Sequence, residues 1–189
     1  MLDLKKGLKL NLANVPRELD TRDLNLRPLN LSDAEALLGM LSDPESMKFW
    51  SSPPITDIHD AIRILREDIE SDGEGKSMCW SVLLNGQGTM IGQCILFSFS
   101  QKNRRAEIGF ILNRDYWRQG LMRQALEAVI EFAFNTLNLH RIEADVDPEN
   151  TGSLAILQTL GFEPEGLFRD RWYVYDEWHD SVMLGLINK

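Results

Sequence analysis

Long apolar runs and cysteines are both scarce in this chain of 189 residues. The first 20 residues scatter their apolar side chains among Lys, Asn and Asp. We therefore expect neither a signal peptide nor a membrane span, since a span needs about 18 or more consecutive apolar residues. The two cysteines, Cys79 and Cys94, each stand inside an apolar, strand-like run. A disulfide framework and a zinc site are not expected, and the pattern favours a cytoplasmic protein without a metal and with buried, reduced thiols.

Positive charge is also in short supply. Lys and Arg number 20 against 29 Asp and Glu, and the formal net charge is −9. Nucleic-acid binding draws its affinity from clustered basic side chains, so we expect no nucleic-acid partner. The negative charge instead favours a small cationic partner. Arg114, Arg118 and Arg123 nevertheless fall in one short segment, and a local anion is expected there.

Hydrophobic periodicity predicts a single α/β domain. Residues 23–29 alternate like a half-buried strand, and Ser32 and Glu35 have the spacing of a capping box before a helix. Further amphipathic helices are predicted to begin at Ile58 and Leu121. The remaining strands are predicted at residues 78–84, 90–99, 106–112 and 141–146 and after Phe162, with one more helix at residues 150–160. This order predicts a mixed sheet flanked by helices.

The segment NRDYWRQGLMRQA, residues 113–125, carries the first chemical signal. A predicted strand ends there, and after a turn a long helix begins next to Gly120. The first-turn N–H groups of a helix have no partners inside the helix, and together with the helix dipole they bind anions. The segment is therefore a candidate pyrophosphate site, although many helices begin at a glycine with nothing bound.

The segment resembles the pyrophosphate-binding motif of the Gcn5-related N-acetyltransferases, which reads Gln or Arg, two residues, Gly, one residue, then Gly or Ala. Four stretches in order are similar to one branch of that superfamily, the ribosomal-protein N-terminal acetyltransferases. They are LDTRDLNLRPLNLSDA, AEIGFILNRDYWRQGLMRQAL, LHRIEADVDPENTGSLAILQTLGFEPEG and YDEWHDSVMLGL. The resemblance implies an acetyltransferase domain over residues 19–187, after an N-terminal extension of residues 1–18.

The resemblance also implies a fold and a co-substrate. The expected fold is a mixed, mostly antiparallel sheet flanked by helices, with a V-shaped splay between the parallel strands at residues 106–112 and 141–146. Acetyl-CoA is expected in that splay, with no metal. The residues expected to bind it are Ile111, Leu112, Arg118, Gln119, Gly120, Leu121, Met122, Arg123, Asn150 and Ser153. Trp117 and Met122 depart from the motif, and the Met122 Cβ, where Gly or Ala is expected, is predicted to crowd the pyrophosphate.

Two side chains are the catalytic candidates that the resemblance implies. Glu107 would accept a proton from the amine, directly or through a water, with a salt bridge to Arg104 or Arg105 as the structural alternative. Ser153 would protonate the leaving thiolate, with an N-cap pair formed with Asn150 as the alternative. The ribosomal-protein acetyltransferases carry a further carboxylate near positions 171 and 172, where this sequence has Arg and Trp. The aromatic side chains expected to line the acceptor pocket are Trp50, Trp80, Trp172, Tyr173, Tyr175 and Trp178.

The predicted activity is transfer of an acetyl group from acetyl-CoA to a primary amine, by direct attack in a ternary complex. The acceptor is a protein N-terminal α-amine or a small-molecule amine, no membrane or nucleic acid is involved, and a homodimer is one expected assembly. A catalytically silent acyl-CoA-binding module is the alternative, which Met122 and the missing carboxylate would fit. A nucleotide-binding protein is less well supported, because the single glycine makes neither GxGxxG nor a Walker loop.

Overall fold

The structure, a computed structural model, describes residues 15–189. Most of the predicted N-terminal extension, residues 1–14, lies outside the described residues. The strands are β1 (Leu19–Asp20), β2 (Leu24–Pro28), β3 (Met78–Leu84), β4 (Met90–Ser100), β5 (Arg105–Leu112), β6 (Arg141–Val146), β7 (Glu163–Val174) and β8 (Glu177–Ile187). The helices are α1 (Ala34–Leu41), α2 (Pro44–Met47), α3 (Ile58–Gly73), α4 (Leu121–Asn135) and α5 (Thr151–Thr159).

One sheet of eight strands has the order β1-β2-β3-β4-β5-β6-β8-β7. Neighbouring strands pair antiparallel except β5 and β6, which are parallel. The mixed α/β fold predicted from the sequence is therefore confirmed. None of the helices within residues 15–189 is both long and apolar enough to cross a membrane.

The pairing of β5 with β6 covers only the first part of each strand. It comprises three residue pairs, from Arg105 with Arg141 to Glu107 with Glu143. Beyond that point β5 continues against β4 and β6 continues against β8 as far as Val146. The two parallel strands thus separate toward their C-terminal ends, which confirms the predicted V-shaped splay.

Each face of the sheet is covered by its own helices. On one face, buried residues of β5 and β6 such as Ile108 and Ile142 share a core with α4 and with Leu157 of α5. On the other face, Ile111 packs with α1, α2 and α3. Because strand residues alternate between faces, Glu107 lies on the α1–α3 side, opposite α4 and α5.

The residues that cap the N-terminal side of α1 differ from those predicted. The capping box is formed by Asn30 and Asp33 around a short 3₁₀ turn, and not by Ser32 and Glu35. Asp33 is buried and bonded to Arg27 of β2 and to the Ser81 hydroxyl of β3. These contacts with the sheet place the capping carboxylate two residues earlier than the local pattern indicates.

Ion pairs cross the sheet at the closed end of the splay. Glu143 of β6 pairs with both Arg105 of β5 and Arg141, and Arg141 also holds Glu165 of β7. The Arg141–Glu165 pair lies over Gly185 of β8, where an added Cβ would stand 2.5 Å from the Glu165 carboxylate and 2.6 Å from the Arg141 guanidinium. Because residue 185 is a glycine, the Arg141–Glu165 ion pair that links β6 to β7 has room above β8.

Gly185→Ala is expected to destabilise the fold, because its methyl group must displace the Arg141–Glu165 pair. Overpacking of this kind costs about 1–3 kcal/mol, and each kcal/mol lowers the melting temperature by about 2–4 °C in a chain of this size. Gly166→Ala is the matched control, since a Cβ at Gly166 of β7 meets nothing within 4 Å. Equal melting temperatures for the two variants would contradict the packing argument.

Candidate functional site

The open edge of β5 carries backbone groups that β6 does not pair. The N–H of Asn113 donates to the Ile91 carbonyl of β4 at 2.8 Å. Since consecutive strand residues direct their backbone groups to opposite edges, the N–H of Leu112 points into the splay and that of Ile111 points toward β4. Of these two predicted thioester contacts, Leu112 thus has its N–H on the open edge. The Trp117 indole donates to the Leu112 carbonyl at 2.8 Å and fixes the following loop against it.

The N-terminus of α4 follows β5 after a loop that contains a 3₁₀ turn at Arg114–Tyr116, and it has no side-chain cap. Gly120 occupies the N-cap position with φ 74°, and Arg118 has φ 58°. This left-handed backbone suits a glycine at residue 120. The first bond of the helix runs from the Gln124 N–H to the Gly120 carbonyl, at 3.2 Å. The N–H groups of the first turn thus precede the helical ladder, as an anion-binding helix end requires.

The three arginines around α4 have different surroundings. Arg114 lies 3.8 Å from Asp43, and Arg123 pairs with Glu127 at 2.9 Å. Arg118 is exposed and has no ion pair among residues 15–189. Arg118 is therefore the arginine of this segment whose charge is available to an anion at the helix end.

Met122 has its side chain in the core and not over the helix end. It is 3% exposed, and its sulfur lies 3.7 Å from the sulfur of Cys94. Its methyl carbon packs toward Gly92 of β4. Beyond the Cβ the side chain therefore turns away from the helix end, and the expectation that the Cβ itself crowds a bound pyrophosphate stays a prediction.

The start of α5 follows β6 on the other side of the splay. The Asn150 side-chain oxygen accepts the N–H of Ser153 at 3.1 Å, so Asn150 is the N-cap. Ser153 contributes its backbone N–H to this cap, while its partly buried hydroxyl makes no hydrogen bond within residues 15–189. The N-cap pair of Asn150 and Ser153 that was the structural alternative is therefore present, but it uses the Ser153 backbone N–H and leaves the hydroxyl available for other contacts.

Glu107 is half-buried at the last residue pair before β5 and β6 separate. The predicted alternative was a salt bridge to Arg104 or Arg105. Arg105 pairs instead with Glu143, and no ion pair of Glu107 is found in the described part of the chain. The carboxylate therefore has no charge partner there and faces the α1–α3 side of the sheet.

A second carboxylate, which the sequence analysis missed, stands farther along the same face. Asp145 of β6 accepts hydrogen bonds from the Trp172 indole at 3.3 Å, from the Arg171 guanidinium at 3.3 Å and from the Ser181 hydroxyl. A carboxylate is thus present beside Arg171 and Trp172, but it comes from β6. Alternation along residues 141–146 places Asp145 on the face of Glu107, which is the signal that could have identified it.

The aromatic side chains proposed for the acceptor pocket divide into two groups. Trp80 is fully buried in the core, where it meets Phe132 edge to face, so it is not a pocket residue. Trp50 is 36% exposed and follows α2. The others belong to the β7–β8 hairpin and are all exposed: Trp172, Tyr173, Tyr175 and Trp178.

Both cysteines are buried away from the splay surface. Burial raises the pKa of the Cys94 thiol to about 12. Burial and the nearby Asp68 carboxylate raise the pKa of the Cys79 thiol as well. Neither thiol forms the nucleophilic thiolate near neutral pH. Among residues 15–189, no group of three or more His, Cys, Asp or Glu side chains is placed to hold a metal ion.

Comparison with known proteins connects this geometry to one family. Residues 23–163 match the model of the acetyltransferase (GNAT) domain. The uncharacterized N-acetyltransferase p20 of Bacillus licheniformis is 36% identical over 171 residues, which cover 90% of this chain and 96% of the relative. The spermidine N(1)-acetyltransferase of Escherichia coli K12 is 22% identical, over 85% of this chain and 84% of that protein.

Solved structures share the fold. An acetyltransferase of the GNAT family from Bacillus anthracis has a TM-score of 0.81 and 25% identity, covering 90% of this chain and 98% of that one. Mycobacterium smegmatis RimJ in complex with CoA-disulfide has a TM-score of 0.79 and 26% identity, covering 90% of this chain and 85% of that one.

Met122→Ala is expected to lower the melting temperature without weakening the binding of acetyl-CoA. The cavity left in the core costs about 2–5 kcal/mol, while the backbone N–H at residue 122 is unchanged. Met122→Leu, which conserves volume, is the control and should cost less than about 1.5 kcal/mol. Thermal melting and calorimetry measure the two properties. Tighter binding of acetyl-CoA by a fully stable Met122→Ala variant would instead indicate that Met122 crowds the pyrophosphate.

Proposed function

The chain belongs to the acetyltransferase (GNAT) domain family, and from that premise we propose that it transfers an acetyl group from acetyl-CoA to a primary amine. It is an N-acetyltransferase, as its relatives are. The acceptor we propose is an α-amine of a protein N-terminus or a small-molecule amine. The observation that carries the proposal is the β5–β6 splay, with a helix N-terminus following each of its two strands.

The residues after β5 fit the co-substrate's pyrophosphate. We propose that the N–H groups from Gln119 to Arg123 donate to its oxygens, with the unpaired Arg118 adding a charge-assisted contact. Leu121 and Met122 take part through their backbone only, because both side chains are buried. Binding an anion here does not contradict the net charge of −9, since the helix end and Arg118 act locally.

The open edge of β5 fits the amide-bearing arm of the same molecule. We propose that β5 backbone groups pair with that arm and that the Leu112 N–H donates to the thioester carbonyl oxygen as negative charge develops there. We expected the Ile111 N–H as an alternative donor to the thioester, but it points toward β4, where Ile111 pairs with Gln93. Asn150 contributes mainly by capping α5.

Glu107 and Ser153 are proposed to handle protons. An α-amine with a pKa near 8 is about one-tenth neutral at pH 7, whereas a lysine amine is neutral in fewer than about one in a thousand molecules. Glu107 has no ion pair to give up and would take the proton that the amine loses, directly or through a water. The Ser153 hydroxyl would donate to the leaving thiolate. An enzyme whose base is weak should therefore prefer acceptor amines of low pKa, such as α-amines.

The names of the relatives, which are N-acetyltransferases, weigh against the silent acyl-CoA-binding alternative. The Met122 side chain beyond its Cβ lies in the core, and the carboxylate beside Arg171 and Trp172 is Asp145 of β6. The names of the relatives point to two acceptor classes, ribosomal proteins and spermidine. Ribosomal-protein acetyltransferases are among the structural neighbours, which supports a protein or peptide acceptor. We propose residues 19–187 as the catalytic domain, and the homodimer stays a prediction.

The proposed function is tested by incubating the chain and acetyl-CoA with a panel of N-terminal peptides, polyamines and other amines. CoA release is followed, and the products are identified by mass spectrometry. Calorimetry should show that acetyl-CoA binds and that dephosphorylated pantetheine binds far more weakly, since it lacks the pyrophosphate. Equal affinities would rule out the proposed pyrophosphate site. Binding without any acetylated product would favour the silent module.

Glu107→Gln is expected to lower kcat/KM for the amine by about 10²–10⁴-fold, as loss of a positioned base does. Acetyl-CoA affinity should be nearly unchanged, and rising pH should partly restore the rate because more amine is then neutral. Glu163→Gln, an exposed glutamate at the start of β7, serves as the control. A well-folded Glu107→Gln variant with the wild-type rate would exclude Glu107 as the base.

A further inference from the structure

Asp145 is the first residue of the Glu107 face that lies inside the splay. Its neighbour two residues earlier, Glu143, forms the last pair with β5 at Glu107. Side chains two residues apart on a strand share a face and lie about 6.6 Å apart along it. Asp145 therefore faces the side of the sheet opposite α4 and α5, where an amine meets Glu107. Its side chain is only 13% exposed.

The carboxylate of Asp145 joins three strands at this point. One oxygen accepts from the Trp172 indole of β7 and the Ser181 hydroxyl of β8, and the other accepts from Arg171 of β7. Three of its roughly four acceptor positions are thus occupied by donors from the chain itself. A carboxylate engaged in this way is suited to holding its neighbours and not to collecting a proton from a substrate.

The β7 segment that Asp145 contacts is irregular just before it pairs again with β8 at Trp172 and His179. The β7–β8 register is irregular between Phe168 and Trp172, and Asp170 has φ 52°. Trp172 is 42% exposed and Phe168 is 46% exposed. The Arg171 guanidinium lies 5.4 Å from the ring centres of both aromatic side chains, so the Asp145–Arg171 contact also fixes how the rings are arranged.

We propose that Asp145 is a positioning residue for the acceptor: it holds Trp172 and Arg171 against the open end of the splay, and they form the wall that the amine-bearing molecule meets. The inference rests on the proposed function, because it assigns the acceptor to the Glu107 face. Asp145 has no proposed role in cofactor binding, because α4 and α5, whose N-termini form the proposed acetyl-CoA site, pack on the opposite face of the sheet.

Asp145→Asn is the central test. The amide keeps the size of the side chain but loses the charge and one acceptor oxygen, so the contact with Arg171 is lost and the hydrogen bond from the Trp172 indole is weakened. The KM for the amine should rise by about tenfold, with a smaller change in kcat and an unchanged Kd for acetyl-CoA. Glu165→Gln is the matched control, because it removes another β6–β7 ion pair on the same face at the closed end of the splay. The control should leave KM for the amine unchanged.

Trp172→Phe provides a second variant that keeps Asp145, Arg171 and Ser181. It removes the indole donor and should raise KM in the same direction. Combined with Asp145→Asn, the two effects should be less than multiplicative, because the variants break one shared contact. Independent, fully multiplicative effects would overturn the proposed link between the two residues.

Acrylamide quenching of fluorescence tests the holding contact without turnover. The contribution of Trp172 to the fluorescence is obtained as the difference between the wild-type chain and Trp172→Phe. Asp145→Asn should increase the acrylamide quenching of that contribution. Unchanged quenching, or unchanged KM despite increased quenching, would overturn the inference while acetyl transfer by the wild type still stands. A wild-type chain that binds acetyl-CoA but acetylates no amine would instead contradict the proposed function, and the quenching result would then decide the contact separately.

Discussion

The short pairing of β5 with β6 is the constraint on which the rest of the site depends. Three residue pairs join the strands, and beyond Glu107 and Glu143 each strand keeps a partner only on its outer side. Backbone groups left unpaired in a protein need other partners, and we proposed on this ground that the open edge of β5 binds a ligand with amides of its own. The arginine and glutamate pairs at the closed end, centred on Glu143, fix the point where separation begins.

Local electrostatics at the open end differ from the charge of the chain as a whole. The overall charge is −9, yet each strand of the splay is followed, after a loop, by a helix N-terminus, whose N–H groups attract anions. At α5 the Asn150 side chain accepts one of these N–H groups. At α4 the N-cap Gly120 has no side chain, so the N–H groups of the first turn stay available. The different caps therefore explain why the proposed pyrophosphate site belongs to α4.

Much of the fold could be predicted from the sequence because its signals are local. Period-2 alternation predicted β6 with its observed bounds, and the helical spacing predicted the first residue of α4, Leu121. The site was less accessible. Met122 stands at a motif position where Gly or Ala is expected, but its burial depends on β4, and the contact of Asp145 with Trp172 spans 27 residues of sequence. Contacts between elements far apart in the chain leave no periodic signal, so only the folded structure reveals them.

The proposed sites separate recognition of the two substrates between the faces of the sheet. Side chains of β6 at Ile142 and Ala144 join the core under α4 and α5 and thereby support the proposed cofactor site. The alternating residues Glu143 and Asp145 face the acceptor side and bond to other strands. Substitutions in β7 can therefore reshape the acceptor wall through Asp145 while the helix ends stay unchanged. A fold built in this way can change its amine without losing its acetyl donor, because the two sites share a strand but not a face.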